Sequence, residues 1–213
     1  MLFDLDGVLV DSLACVERVW RKWAARHGLD APALIRAGLG RRTSETLRAV
    51  APHLDIDAEV EILDRMEEAD TLGMEAISGA RALVDGLGPD QWAIVTSGPR
   101  QLSTLKLTVT SLPIPRVFVT GEDVQRGKPD PQCYQRAAAL LNLEPWDAIV
   151  VEDAPIGIAA ARAAGMGVVG ISRDGLTLPD TDLTVPDLRR LRVETRDGWL
   201  TLEVAEVGGG RRS

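Results

Sequence analysis

From Ser78 onward the chain switches repeatedly between a helical pattern and a short apolar run, and this alternation restricts the possible folds more than any other feature. Helices are predicted over Ala80–Leu87, from Arg100, over Pro131–Leu141 and over Ile156–Ala164. Each precedes a run that reads as a strand: Ala93–Thr96, Val117–Thr120, Ala148–Val151 and Val168–Ile171. Leu2–Leu5 is a further apolar run, ending in acids and Gly7. Continuous apolar runs suit strands buried on both faces, as in a parallel sheet covered by helices. The expected class is α/β, a Rossmann-like parallel sheet flanked by helices. Sheets of this kind bind ligands beyond the carboxyl ends of their strands.

Between Ser12 and about Leu72 the texture differs. Val16, Val19, Trp20 and Trp23 are spaced along one helix face, Leu34 and Ile35 begin a second helical stretch, Ser44–Val50 reads as the next helix and Ala58–Leu72 as another. No strand is expected in this block. It reads as an inserted all-helical cap domain, residues 13–77, dividing a catalytic core made of residues 1–12 and 78–207. Near the end, Leu191–Thr195 and Trp199–Val204 flank Arg196-Asp197-Gly198, a hairpin signal. Residues 208–213 are glycine- and arginine-rich and are expected to be a disordered tail. The tryptophans at 20, 23, 92, 146 and 199 are scattered, which suits packing rather than base stacking.

Charge narrows the functions. With 32 acidic against 24 basic residues the net charge is −8, which argues against broad nucleic-acid binding but not against a small anionic substrate. No apolar run approaches the roughly 20 residues of a membrane span. Cys15 and Cys133 form no metal-type pair and read as thiols of a reducing compartment, so a cytoplasmic location is expected. Met1-Leu2-Phe3 opens directly into a strand, which leaves room for a few upstream residues of the natural start.

Four clusters of polar residues fall at predicted strand ends. Asp4 and Asp6, one residue apart beside Gly7, could serve as nucleophile and proton donor, or simply form an acidic turn. Thr96-Ser97-Gly98 offers a hydroxyl and backbone N–H groups to a phosphoryl oxygen, although such a loop is common. Lys128, between Gly127 and Pro129, is either an inward cation or a solvated loop lysine. Glu152 and Asp153 could complete an oxygen-rich Mg²⁺ site, or Asp153 could cap the helix that follows. Together, and in this order, the clusters supply what phosphoryl transfer requires.

These stretches resemble the four motifs of the haloacid dehalogenase superfamily: Asp4-Leu5-Asp6-Gly7-Val8-Leu9-Val10-Asp11-Ser12, Thr96-Ser97-Gly98, Gly127-Lys128-Pro129 and Glu152-Asp153-Ala154-Pro155-Ile156-Gly157. The resemblance covers nearly the whole chain and points to the subgroup with a helical cap after the first motif. It implies Asp4 as nucleophile and Asp6 as acid/base. It also implies Mg²⁺ bound by the Asp4 side chain, the Asp6 backbone carbonyl and Asp153, with Glu152 close by. An acid at position 6 argues against dehalogenation.

Gly40-Arg41-Arg42-Thr43, Trp92–Gly98 and the Leu191–Val204 hairpin further resemble glycerol-phosphate, 2-deoxyglucose-6-phosphate and phosphoglycolate-type phosphatases. The expected activity is hydrolysis of a small phosphorylated metabolite, a sugar or polyol phosphate, by a monomer or weak dimer. A phosphomutase of the β-phosphoglucomutase kind shares the motifs. A non-catalytic phosphometabolite-binding protein would have lost some of Asp4, Asp6, Lys128 and Asp153, and all are present. In the basic turn, Arg42 and then Arg41 are expected to meet the substrate, unless the turn is merely solvated. Ser97 and Gly98 are expected to contact its phosphate. His27 and His53 are not expected to be catalytic.

Overall fold

The computed structural model describes residues 1–173, 178–196 and 199–204. The chain enters through β1 (Leu2–Phe3), turns and forms β2 (Val10–Asp11). Four helices follow: α1 (Leu13–His27), α2 (Ala31–Gly38), α3 (Thr43–Val50) and α4 (Ile56–Glu68). β3 (Glu75–Ala76) returns antiparallel to β2, placing Val10 opposite Ala76. Helices and strands then alternate: α5 (Ala80–Asp85), β4 (Ala93–Val95), α6 (Arg100–Val109), β5 (Val117–Val119), α7 (Gln132–Leu140), β6 (Ile149–Glu152), α8 (Pro155–Ala163), β7 (Gly167–Ile171) and β8 (Leu183–Val185). An antiparallel pair, β9 (Leu191–Arg196) and β10 (Trp199–Val204), ends the described chain.

Among the described residues, six strands form one parallel sheet in the order β5-β4-β1-β6-β7-β8. The α/β class read from the sequence is therefore the observed one. Alternate residues along each strand enter opposite cores, as the two-residue period of a strand requires. Phe3, Ile94, Val151 and Val169 pack on one face. Leu2, Ala93, Val95, Val150 and Val168 pack on the other. From β1 the chain builds outward through β4 and β5, then crosses back to β6, β7 and β8. β1 thus borders the point where the strand order reverses, the usual position of a ligand crevice.

The four helices share an apolar cluster of their own, centred on Trp23, Leu34, Leu47 and Leu63. Gly28 ends α1 in the left-handed region at φ 65°. His27, in the last turn, lies 3.3 Å from Glu59 of α4. The helical unit connects to the rest through the β2–β3 pair.

Several details differ from the sequence reading. β1 stops at Phe3 rather than Leu5, because the Leu5 carbonyl already accepts the N–H groups of Leu9 and Val10 in a tight turn. The β2–β3 ladder and β8 were not foreseen, as Asp11, Glu75 and Thr184 keep these strands from forming apolar runs. Trp20, Trp23 and Trp92 are buried, but Trp146 and Trp199 are exposed, on a surface turn and a hairpin face. The Asp197-Gly198 turn and the tail at 208–213 lie outside the described residues. No helix among the described residues is long and apolar enough to cross a membrane.

Because Leu63 is wholly enclosed in the helical cluster, Leu63→Ala is expected to destabilise the protein by about 2–5 kcal/mol. Denaturant unfolding of the two proteins checks this.

Candidate active site

The four clusters meet at the carboxyl ends of neighbouring strands. Asp4 follows β1, and its N–H donates to the Val151 carbonyl of β6 at 3.0 Å. Thr96 follows β4. Lys128 lies on the loop between β5 and α7, and Glu152 is the last residue of β6. Lys128 is nearly inaccessible to solvent. Its Nζ donates to Asp4 Oδ1 at 2.9 Å and to Glu152 Oε1 at 2.5 Å. Tyr134 donates from α7 to the same Glu152 oxygen at 2.8 Å. The other Glu152 oxygen accepts the backbone N–H groups of Asp153 and Ala154, each at 3.0 Å. Glu152 is thus saturated with donors and fixes both the lysine and the loop bearing Asp153.

Two glycines make room for this cluster. A Cβ on Gly7, whose φ is +82°, would collide with the Asp153 carboxylate. A Cβ on Gly157 would collide with that of Glu152. Side chains at positions 7 and 157 would therefore push these acids out of place.

Asp4, Glu152 and Asp153 bring carboxylate oxygens within 4.8 Å of one another. Burial, opposed by Lys128 and reinforced by Glu152, pushes Asp4 up to about 7. Burial and repulsion from Glu152 and Asp4 hold Asp153 well above its ordinary value. Burial alone would depress Lys128, but Asp4 and Glu152 outweigh it and raise the ammonium's pKa well above normal. Three enclosed carboxylates facing this one ammonium leave an excess of negative charge. An all-oxygen donor set with that excess suits Mg²⁺.

Asp6 sits in a separate environment. Its Oδ1 accepts from Ser12 Oγ and, at 2.6 Å, from Lys106 Nζ. Its side chain does not join the metal-type cluster found among the described residues. Above both aspartates is a cavity of about 330 Å³, roofed by the helical unit through Val16, Trp20, Ile35, Leu39 and Glu67. Arg41, Ser97 and Gly98 also line it. The Ser97 hydroxyl donates to the Gly40 carbonyl at 2.8 Å, so it ties the helical unit to the sheet. The Gly98 N–H donates to Thr96 Oγ1 at 3.1 Å.

The two arginines of the turn separate. Arg42 Nε donates to Glu45 at 2.8 Å, and its terminal nitrogens reach the carbonyls of Val124 at 3.2 Å and Gln125 at 3.1 Å. The expectation that Arg42 leads in meeting the substrate is therefore corrected: its donors are committed to docking the helical unit. Arg41 is the arginine of this pair at the cavity.

Lys106, Glu67 and Trp20 went unnoticed as polar site residues. Trp20 Nε1 donates to Glu67 Oε1 at 2.8 Å, and Lys106 Nζ is 4.0 Å from Glu67 Oε2. A signal existed for both charged residues. Lys106 shares its helix stripe with buried Leu102 and Ser103, and Glu67 follows buried Leu63 by four residues. A charge on an apolar stripe needs a partner. Burial, partly opposed by Lys106, raises Glu67, while burial and nearby acids push Asp64 up to about 6.

A sequence profile of haloacid dehalogenase-like hydrolases matches residues 1–171. The chain belongs to that family. This hydrolase is 42% identical over 199 residues to hexitol phosphatase A of Escherichia coli, covering 90% of this chain and 92% of that protein. It is 35% identical over 218 residues to 2-deoxyglucose-6-phosphate phosphatase 1 of Saccharomyces cerevisiae, covering 90% and 89%. The crystal structure of a hydrolase from Pseudomonas syringae superposes with a TM-score of 0.77 at 26% identity, covering 88% of this chain and 93% of that one. The family resemblance and the enzymatic class read from the four motifs are thus established for this hydrolase.

The raised carboxylates give a signed pH dependence. A carboxyl whose pKa rises on folding stabilises the fold fully below its unfolded value, and that contribution is lost as pH climbs through the folded value. For Asp4 the window runs from 3.8 to about 7. Chelator-treated protein should therefore lose thermal stability between about pH 4 and pH 7. Mg²⁺ should raise Tm more at the upper end, where these groups are ionised. Differential scanning fluorimetry across that range tests both expectations.

Proposed function

We propose that this hydrolase is a Mg²⁺-dependent phosphatase that cleaves a small sugar or polyol phosphate through an aspartyl-phosphate on Asp4. The observation that carries the reading is the placement of Asp4 Oδ1, in the lining of the cavity, on Lys128 at 2.9 Å. An anionic oxygen held beside an ammonium can approach phosphorus without the full repulsion of the phosphate charge.

In the first step Asp4 forms a bond to phosphorus and the ester P–O bond breaks. Asp6, at the cavity wall, gives its proton to the departing alcohol oxygen. In the second step Asp6 takes a proton from water, the water oxygen bonds to phosphorus, and the Asp4–phosphate bond breaks to release inorganic phosphate. Lys128 offsets negative charge throughout. The Thr96 hydroxyl and the Ser97 N–H, in the cavity lining, would donate to the phosphoryl oxygens. Asp4 and Asp153, with Glu152 behind them and the Asp6 carbonyl nearby, would hold Mg²⁺, which supplies charge neutralisation to the phosphoryl oxygens.

We read the helical unit as a cap over this site. A cavity of about 330 Å³ suits a small ester, and its rim offers both apolar surface and charged groups for hydroxyls. The names of the curated relatives support the same substrate class.

Asp4→Asn should lower phosphatase turnover at least about a thousandfold while circular dichroism stays native; sustained Mg²⁺-dependent hydrolysis by that variant would refute the nucleophile. Arg41→Ala should raise KM for a sugar or polyol phosphate about tenfold or more, the loss expected for one charge-assisted hydrogen bond. Steady-state kinetics with hexitol and glycerol phosphates would read this, and an unchanged KM would remove Arg41 from the substrate site.

A further inference from the structure

We propose that Lys106 is a positioning residue for Asp6, and that Glu67 on α4 sets where Lys106 stands, so that the acid/base is aligned only beneath the docked helical unit. The inference rests on the phosphatase reading above and concerns a residue that reading does not use.

The geometry is specific. Lys106 projects from α6, with only 5% of its side chain exposed. An ammonium so enclosed needs acids around it. It has Asp6 Oδ1 at 2.6 Å on the sheet side and Glu67 Oε2 at 4.0 Å on the helical side. Glu67 is in turn held by the Trp20 indole at 2.8 Å. All four residues line the cavity. The chain of contacts therefore runs from α1 through α4 and α6 to the aspartate loop, crossing the boundary between helical unit and sheet.

The bonds to Asp6 are also one-sided. Ser12 and Lys106 both donate to Oδ1, and no bond to Oδ2 is made among the described residues. Two donors on one oxygen fix the carboxyl plane and keep that oxygen from carrying the proton. Oδ2 is left to deliver a proton to the leaving oxygen and to take one from water. Without Lys106 the carboxyl could rotate about its Cβ–Cγ bond and present either oxygen. Without Glu67 the lysine would lose its second acid and the contact that links it to the helical unit.

This role makes the dependence on the leaving group diagnostic. An alkyl ester leaves as a poor alkoxide and needs the proton, whereas p-nitrophenolate leaves without one. The experiment compares kcat/KM for glycerol phosphate and p-nitrophenyl phosphate in wild type, Lys106→Met, Lys106→Arg and Glu67→Gln, with Mg²⁺ present and Tm measured for each. For Lys106→Met we expect a fall of about 30-fold or more with glycerol phosphate and only a few-fold with the aryl ester. Lys106→Arg should recover part of the alkyl activity. Glu67→Gln should show the same selectivity at smaller size, without touching Asp6.

Equal losses on both esters, or none, in a folded Lys106→Met would overturn the inference while leaving the phosphatase reading intact. If Lys106→Met fails to fold, Glu67→Gln decides in the same way, since an unselective effect there overturns it too. A wild-type protein that hydrolyses neither ester would overturn the phosphatase reading, and this inference with it.

Discussion

Lys128 stands nearly without solvent between Asp4 and Glu152. Placing an ion in such surroundings costs several kcal/mol unless its partners are well positioned. The surrounding structure supplies that positioning from four chain segments. β1 sets Asp4, β6 sets Glu152, the loop after β5 carries the lysine, and α7 contributes the Tyr134 hydroxyl. Removing one member of a buried pair typically costs about 3–5 kcal/mol, because the other charge is stranded. The cluster therefore ties the order of the strands to the chemistry: these ends must meet for the lysine to be buried at all.

Even so, the cluster is not balanced. Asp153 adds a third carboxylate, and burial keeps both it and Asp4 reluctant to ionise. A protein optimised for stability alone would remove one of these acids or add a second cation. Retaining the excess makes sense where a divalent ion is to be bound and a phosphate group handled beside it. The glycines at 7 and 157 fit the same interpretation, since each occupies a place where any side chain would displace an acid.

The sheet and the gathering of polar residues at its strand ends were largely legible in the sequence. Apolar runs without alternation marked strands covered on both faces, and polar residues gathered at their ends. What escaped was set by side-chain direction or by strands that no apolar run marks. Nothing in adjacent Arg41 and Arg42 tells which faces inward; the answer depends on carbonyls at Val124 and Gln125, more than 80 residues away. β8 was invisible because Thr184 breaks Leu183–Val185 and Asp182 and Pro186 flank it, so no apolar run marks it. Lys106 and Glu67 look like ordinary surface charges until their helical stripes are traced against buried neighbours.

The two aspartates show how one loop can hold two different chemistries. Asp4 is buried, shares its lysine with Glu152 and belongs to the carboxylate cluster. Asp6 is partly exposed to the cavity and bonded to a hydroxyl and a different lysine. Two carboxyls of one kind in unlike settings are suited to unlike tasks. In the proposed reaction the first, beside a cation, attacks phosphorus. In the same proposal the second keeps Oδ2 for the leaving group and water, its Oδ1 being bonded to Ser12 and Lys106. Backbone alone separates them, through the tight turn at Leu5 and the left-handed Gly7 that follows. Each lysine also comes from a different loop or helix. The different settings of these neighbours in sequence are thus made largely by lysines a hundred or more residues downstream, brought there by the return of the chain to β1.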